Sequence, residues 1–177
     1  MTREKTMDKT TRRSLLLGAT ALGGLALVSR IPGLAFGGEG SGPVPGTFEV
    51  THTDEEWKAI LGDDAFYVMR MQGTEAPGSS VLLGEHREGI FLCAGCDLPL
   101  FDSATKYESG TGWPSFYQPL DNAVGELTDD SLGMVRTEVH CRRCGGHLGH
   151  VFNDGPPPTG LRYCMDGIAL KFQPKAA

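Results

Sequence analysis

At 177 residues the chain has room for one domain with a sizeable core, and 40% hydrophobic against 21% charged residues suit a globular protein. Its 16 basic and 22 acidic side chains leave a net charge of −6, unevenly spread: residues 1–35 hold six Lys/Arg and two Asp/Glu, the remainder ten and twenty. So acidic a body lacks the clustered positive charge that phosphate binding needs, which argues against a nucleic-acid partner. Twenty-five Gly and 11 Pro argue against a helical bundle and for a turn-rich, mainly β domain.

The first element in chain order is an expected export signal over residues 1–35. A polar, basic start with Arg12-Arg13 precedes an uncharged Leu/Ala/Gly run from Ser14 to Ser29, too short to cross a hydrocarbon layer about 30 Å thick comfortably. Gly33-Leu34-Ala35 offers a small-x-small cleavage site, and Thr11-Arg12-Arg13-Ser14-Leu15-Leu16 resembles a twin-arginine signal. The expected location is periplasmic or otherwise outside the cytoplasmic membrane, with membrane contact only through this segment where it is retained. Residues 36–48, Gly- and Pro-rich, read as a flexible linker. The folded domain is expected over 49–174.

Thr53, a capping residue ahead of Asp54-Glu55-Glu56, predicts a short helix to about Ile60, and Ala65 to Met71 a second helical piece. From Gly89 onward short apolar runs alternate with Gly, Pro, Asp and Asn. Strands are predicted at Ile90–Leu92, Met134–His140, His150–Phe152, Leu161–Met165 and Ile168–Phe172. Pro156-Pro157-Pro158 predicts an extended loop.

Four of the five cysteines form two Cys-x-x-Cys turns, Cys93/Cys96 and Cys141/Cys144, each after an apolar run. Two such knuckles supply the four soft ligands of a closed, tetrahedral structural zinc site. Two disulfides, or a redox pair, are the competing readings in an exported protein. Cys164 is left over. Its surroundings hold His147 and His150, with Arg162 two residues earlier on the same strand face. A nearby cation favours the thiolate, the nucleophilic form.

Cys93-Ala94-Gly95-Cys96, Ser109-Gly110-Thr111-Gly112-Trp113-Pro114-Ser115-Phe116, Arg136-Thr137-Glu138-Val139, His147-Leu148-Gly149-His150-Val151-Phe152 and Asp154 through Cys164 follow one another in sequence. Together they resemble the B-class peptide methionine sulfoxide reductases, over roughly Thr53 to Phe172. The resemblance implies two small antiparallel sheets with short peripheral helices, clamped by zinc held in the two Cys-x-x-Cys turns. It implies reduction of R-methionine sulfoxide in peptides and proteins, with Cys164 as nucleophile. His147 and His150 would bind and protonate the sulfoxide oxygen, Arg162 would lie near the thiolate, and Asp154 would join the histidine network. Trp113 would wall the substrate methyl group, with Phe152 beside it and Asn153 a lesser candidate.

Two positions depart from that pattern. Many relatives carry a resolving cysteine where this chain has Thr111, so the sulfenic acid left on Cys164 would need an external reductant, a thioredoxin-like protein or a small thiol. Asp166 stands where relatives usually have Asn; a carboxylate facing the sulfur there would oppose Arg162. The rival reading is a non-catalytic, zinc-clamped binding module on the same scaffold.

Overall fold

The structure is a computed structural model and describes residues 44–176; the expected signal segment lies outside the described residues. The first element is helix α1, Asp54–Met71. Thr53 caps it in a reciprocal box: the Glu56 backbone N–H donates to the Thr53 hydroxyl, and the Glu56 carboxylate accepts from the Thr53 backbone N–H. Gly62, at φ 74° and ψ 171°, breaks the helix between the two predicted pieces. Trp57, Phe66, Val68 and Met69 are its large buried side chains, beside Ala65, each of the four contributing about 1.5–3 kcal/mol through burial. Val44 is buried, and the Phe48 ring meets His140 edge-on.

Nine strands follow among the described residues: β1 (Gly89–Cys93), β2 (Pro99–Asp102), β3 (Lys106–Tyr107), β4 (Ser115–Phe116), β5 (Val124–Asp129), β6 (Arg136–Cys141), β7 (His147–Phe152), β8 (Arg162–Met165) and β9 (Leu170–Pro174). They form two antiparallel sheets, as the sequence implied. One has the order β2-β1-β9, the other β3-β4-β8-β7-β6-β5. A stack of Phe91, Phe101 and Phe116 joins them, with ring centroids 4.9 and 4.3 Å apart.

Sequence periodicity located β1, β6, β7, β8 and β9 and missed β2 to β5. β3 and β4 have two residues each, too few to show alternation. β2 opens on Pro99, tolerated because β2 is an edge strand. β5 is the other sheet's edge and mostly polar. Met134 and Val135, predicted as strand, are exposed in the turn before β6. Ile168 falls in a 3-10 turn over Gly167–Ala169, ahead of β9.

The knuckles tie these layers together. Cys93 ends β1 in the small sheet, and Cys141 ends β6 in the large one. Gly145 takes φ 67° behind Cys144, where a Cβ would lie 2.3 Å from the Phe48 ring.

Candidate active site and metal cluster

Strand register builds the site. β8 lies between β4 and β7, so Cys164 sits directly opposite Ser115 on one side and His150 on the other. Tyr107 is opposite Ser115, and Glu138 opposite His150. Opposed residues of antiparallel strands share a face, so Tyr107, Ser115, Cys164, His150 and Glu138 form one row across five strands. Cys164 is half-buried. Gly149, one residue from His150, permits the close β7–β8 approach: it has φ 144°, and a Cβ there would lie 2.2 Å from the Cys164 carbonyl oxygen.

Each histidine is fixed by a carboxylate. His147 is buried, its Nδ1 2.7 Å from Glu138 Oε1 and its Nε2 3.8 Å from Asp166 Oδ2. Glu138 also accepts from Gln72 Nε2 at 2.8 Å. His150 Nε2 is 2.8 Å from Asp129 Oδ2, which pairs with Arg136. The two imidazole centroids are 5.3 Å apart. Burial pushes the His150 imidazole down, against the Asp129 contact that favours its proton. Burial also pushes the Asp129 carboxyl up, but hydrogen bonds with Ser131 and His150, and the Arg136 charge, overcome it and hold Asp129 well below the usual carboxylate range.

Trp113 is half-buried and its Nε1–H donates to the Glu75 carbonyl at 3.2 Å. Phe152 lies under the Arg162 guanidinium, 4.3 Å from carbon to ring centroid. Asn153 is exposed, with no side-chain hydrogen bond among the described residues.

Two expectations are corrected. Asp154 does not join the histidine network: it takes two hydrogen bonds from Arg162, at 2.8 and 2.9 Å, across the loop joining β7 to β8. The histidines' partners are Glu138, Asp129 and Asp166. Nor does Asp166 oppose Arg162 at the thiol. It is buried, accepts from the Glu75 backbone N–H at 2.9 Å and turns its other oxygen toward His147.

Burial pushes the Asp166 carboxyl up from 3.8 to about 6. Between those pH values the folded chain keeps a proton that the unfolded chain gives up. Stability therefore falls as pH rises through the window, and the full cost, about 3 kcal/mol, is present at pH 7. Asp166→Asn keeps an oxygen to accept from Glu75. Urea unfolding is expected to show it more stable than wild type by about 1–3 kcal/mol at pH 7, the gain shrinking toward pH 5. Equal stabilities at pH 7 would contradict a buried carboxylate at this position.

The remaining cysteines form a separate cluster. One sulfur from each of Cys93, Cys96, Cys141 and Cys144 lies within 4.8 Å of the others, and no pair is bonded: Cys93 to Cys144 is 3.6 Å and Cys96 to Cys141 3.5 Å. All four thiols are free, so no disulfide joins them in this structure. Hydrogen-bonded to the other sulfurs, Cys93 and Cys144 hold their protons well above the usual thiol range, while Cys96 and Cys141 lose theirs below it. Four sulfurs packed this closely could hold a metal ion, and an all-sulfur donor set suits a soft one.

Glu138, Asp129, Arg136, Tyr107 and the hydroxyls of Ser109, Thr111 and Ser115 were not assigned roles from the sequence. Glu138 and Arg136 carried the one usable signal, two charges inside the strand predicted over Met134–His140.

A SelR domain family model matches residues 61–174, nearly two thirds of the chain. Proteins named peptide methionine sulfoxide reductase MsrB are similar at high identity. The one from Pseudomonas putida (strain W619) is 53% identical over 128 residues, 72% of this chain and 96% of its own length. The one from Leptospira interrogans serogroup Icterohaemorrhagiae serovar Lai (strain 56601) is 53% identical over 127 residues, 71% and 97%. That of Pseudomonas syringae pv. syringae (strain B728a) is 54% identical over 125 residues, 70% and 95%. With a free cysteine facing a carboxylate-held histidine pair, and a four-cysteine cluster away from it, the chain belongs to the SelR-domain family of MsrB-type oxidoreductases.

Proposed function

We propose that the protein reduces R-methionine sulfoxide in peptides and proteins to methionine. The observation that carries this is the cross-strand pairing of half-buried Cys164 with His150, with His147 beside it, while the other four cysteines are gathered elsewhere. The sulfoxide oxygen would sit against His147 and His150 and the methyl group against Trp113. Cys164 attacks the sulfoxide sulfur as a histidine-held proton goes to the oxygen, general-acid and nucleophilic catalysis together. Methionine leaves reduced, and the oxygen remains on Cys164 as a sulfenic acid. Two equivalents of external thiol then return Cys164 to the thiol, releasing one disulfide and one water. No second cysteine near Cys164 competes with them, since Thr111 stands beside the sulfur.

The cluster would hold one structural zinc per chain. Zinc–sulfur bonds near 2.3 Å in a tetrahedron set sulfurs about 3.8 Å apart, against 3.5 and 3.6 Å for two of the pairs here. A closed four-thiolate site leaves no position for water, so its work is to hold the two sheets together. We further propose export: a twin-arginine-type signal over residues 1–35, cut after Ala35, then a linker from residue 36 whose last residues, with Val44 and Phe48, pack onto the reductase domain over 49–174. Folded export would allow metal loading before the protein meets an oxidising compartment.

Turnover of a short peptide carrying either sulfoxide epimer, with dithiothreitol as reductant, tests the reading. Reduction of the R epimer alone is expected, because exchanging methyl and oxygen puts the apolar group against the histidines. Turnover of neither epimer would leave the binding-module reading in its place, and equal turnover of both would remove the R-specific assignment.

A further inference from the structure

A line of hydroxyls leads away from the Cys164 sulfur. Thr111 Oγ1 is 3.7 Å from Cys164 Sγ, Ser109 Oγ 2.9 Å from Thr111 Oγ1, and Ser115 Oγ 2.7 Å from Ser109 Oγ. The line ends where the Ser115 hydroxyl donates to the Trp113 carbonyl at 3.2 Å. Ser115 is 1% exposed, so water does not substitute for its partners.

Each hydroxyl has one proton to donate, and this couples the directions of the bonds. With a thiol at position 164, every proton points away from the sulfur: the thiol donates to Thr111, Thr111 to Ser109, Ser109 to Ser115, and Ser115 to the carbonyl. With a thiolate, the order reverses. Ser115 turns from the Trp113 carbonyl to donate to Ser109, Ser109 donates to Thr111, and Thr111 donates to the anion. The cost is one neutral hydrogen bond to a carbonyl. The gain is a charge-assisted bond to the sulfur, the stronger kind.

We infer that Thr111, backed by Ser109 and Ser115, forms a reversible hydroxyl chain that stabilises the nucleophilic, anionic form of Cys164. This rests on the reading of Cys164 as the attacking thiol. The charged and titratable groups that face the sulfur are Arg162 on its own strand, Tyr107 on β3 and His150 on β7. Arg162 is committed to Asp154, His150 to Asp129, and the Tyr107 hydroxyl is buried with no hydrogen-bond partner among the described residues. Among the described residues, the hydrogen-bond contact to Cys164 Sγ is that of Thr111. Thr111 and its two serines are therefore positioning residues for the reaction.

The test is the pH dependence of Cys164 alkylation by iodoacetamide in the full, metal-loaded chain, with the labelled cysteine located by peptide mass. Thr111→Val keeps the shape and removes the hydroxyl. Its alkylation midpoint is expected about 0.5–1 pH unit above wild type, as one lost hydrogen bond to the charged form predicts. Thr111→Ser is expected to restore the wild-type midpoint. Ser109→Ala, which leaves Thr111 in place but cuts the line behind it, is expected to shift the midpoint upward by less than Thr111→Val does. An unshifted Thr111→Val midpoint, a Thr111→Ser midpoint displaced as far as that of valine, or a Ser109→Ala midpoint equal to wild type would overturn the chain. Alkylation needs no sulfoxide, so this outcome is separate from the epimer assay: active protein with unshifted midpoints removes the hydroxyl chain alone, and shifted midpoints without turnover remove the reductase reading alone.

Discussion

Cys164→Ser is expected to lose sulfoxide reduction by a factor on the order of 10⁴ or more, with its melting temperature within a few degrees of wild type. The size of the loss follows from the chemistry. A serine hydroxyl is a poor nucleophile toward sulfur at neutral pH, and in the proposed reaction the histidines deliver a proton rather than remove one. The small effect on folding follows from placement. Cys164 is half-buried, contributes nothing to the cluster of four sulfurs, and its backbone pairing to Ser115 and His150 does not involve the thiol. The comparison that gives the result meaning is mass spectrometry after exposure to the R sulfoxide without reductant. Wild type is expected to gain one oxygen on Cys164, trapped by dimedone, and the variant none. Retained turnover in Cys164→Ser would show that the reacting group lies elsewhere.

Where the sequence could be read, the information was local. A Cys-x-x-Cys turn is a four-residue statement, and two of them after apolar runs announced the cluster before any tertiary contact was known. The capping box at Thr53 and Glu56 is equally local, and Gly62 interrupts the helix where its two predicted halves part. What escaped was set by register. His147 and His150 were visible as types, but their carboxylates arrive from other strands, Glu138 on β6 and Asp129 at the end of β5, and nothing in a linear string says which acid will stand opposite which imidazole. Asp154 shows the same blindness in reverse. Resemblance tied it to the histidines, whereas the turn between β7 and β8 brings it back against Arg162, where a bidentate ion pair wins. Asp166 was legible as an odd charge on the strand of the nucleophile. Its direction was not, because the chain leaves β8 at Met165 and the next side chain no longer follows the strand's alternation.

Removal of the metal is expected to unfold the domain. Cys93 and Cys96 follow the small sheet's central strand, Cys141 and Cys144 the end of β6, and α1 lies over the junction, with Met69 and Trp57 against the knuckle glycines. An ion held by all four sulfurs therefore joins elements about 50 residues apart in sequence, as the Cys93–Cys144 and Cys96–Cys141 separations of 51 and 45 residues show. A structural zinc site contributes on the order of 10 kcal/mol to folding, comparable with the whole stability of an ordinary domain at about 5–15 kcal/mol. The phenylalanine stack between the sheets is not large enough to replace it. Under reducing conditions, stripping the ion with a chelator is expected to release one zinc per chain and to abolish the cooperative melting transition, with recovery when zinc is returned. Cys96→Ser, at the partly exposed corner of the cluster, is expected to do the same in milder form, losing metal affinity and melting well below wild type while the Cys164 sulfur is untouched. Circular dichroism melts beside metal quantitation read both. A chain that keeps its melting temperature after complete metal removal, with its four thiols still reduced, would show that the two sheets hold together through apolar packing alone.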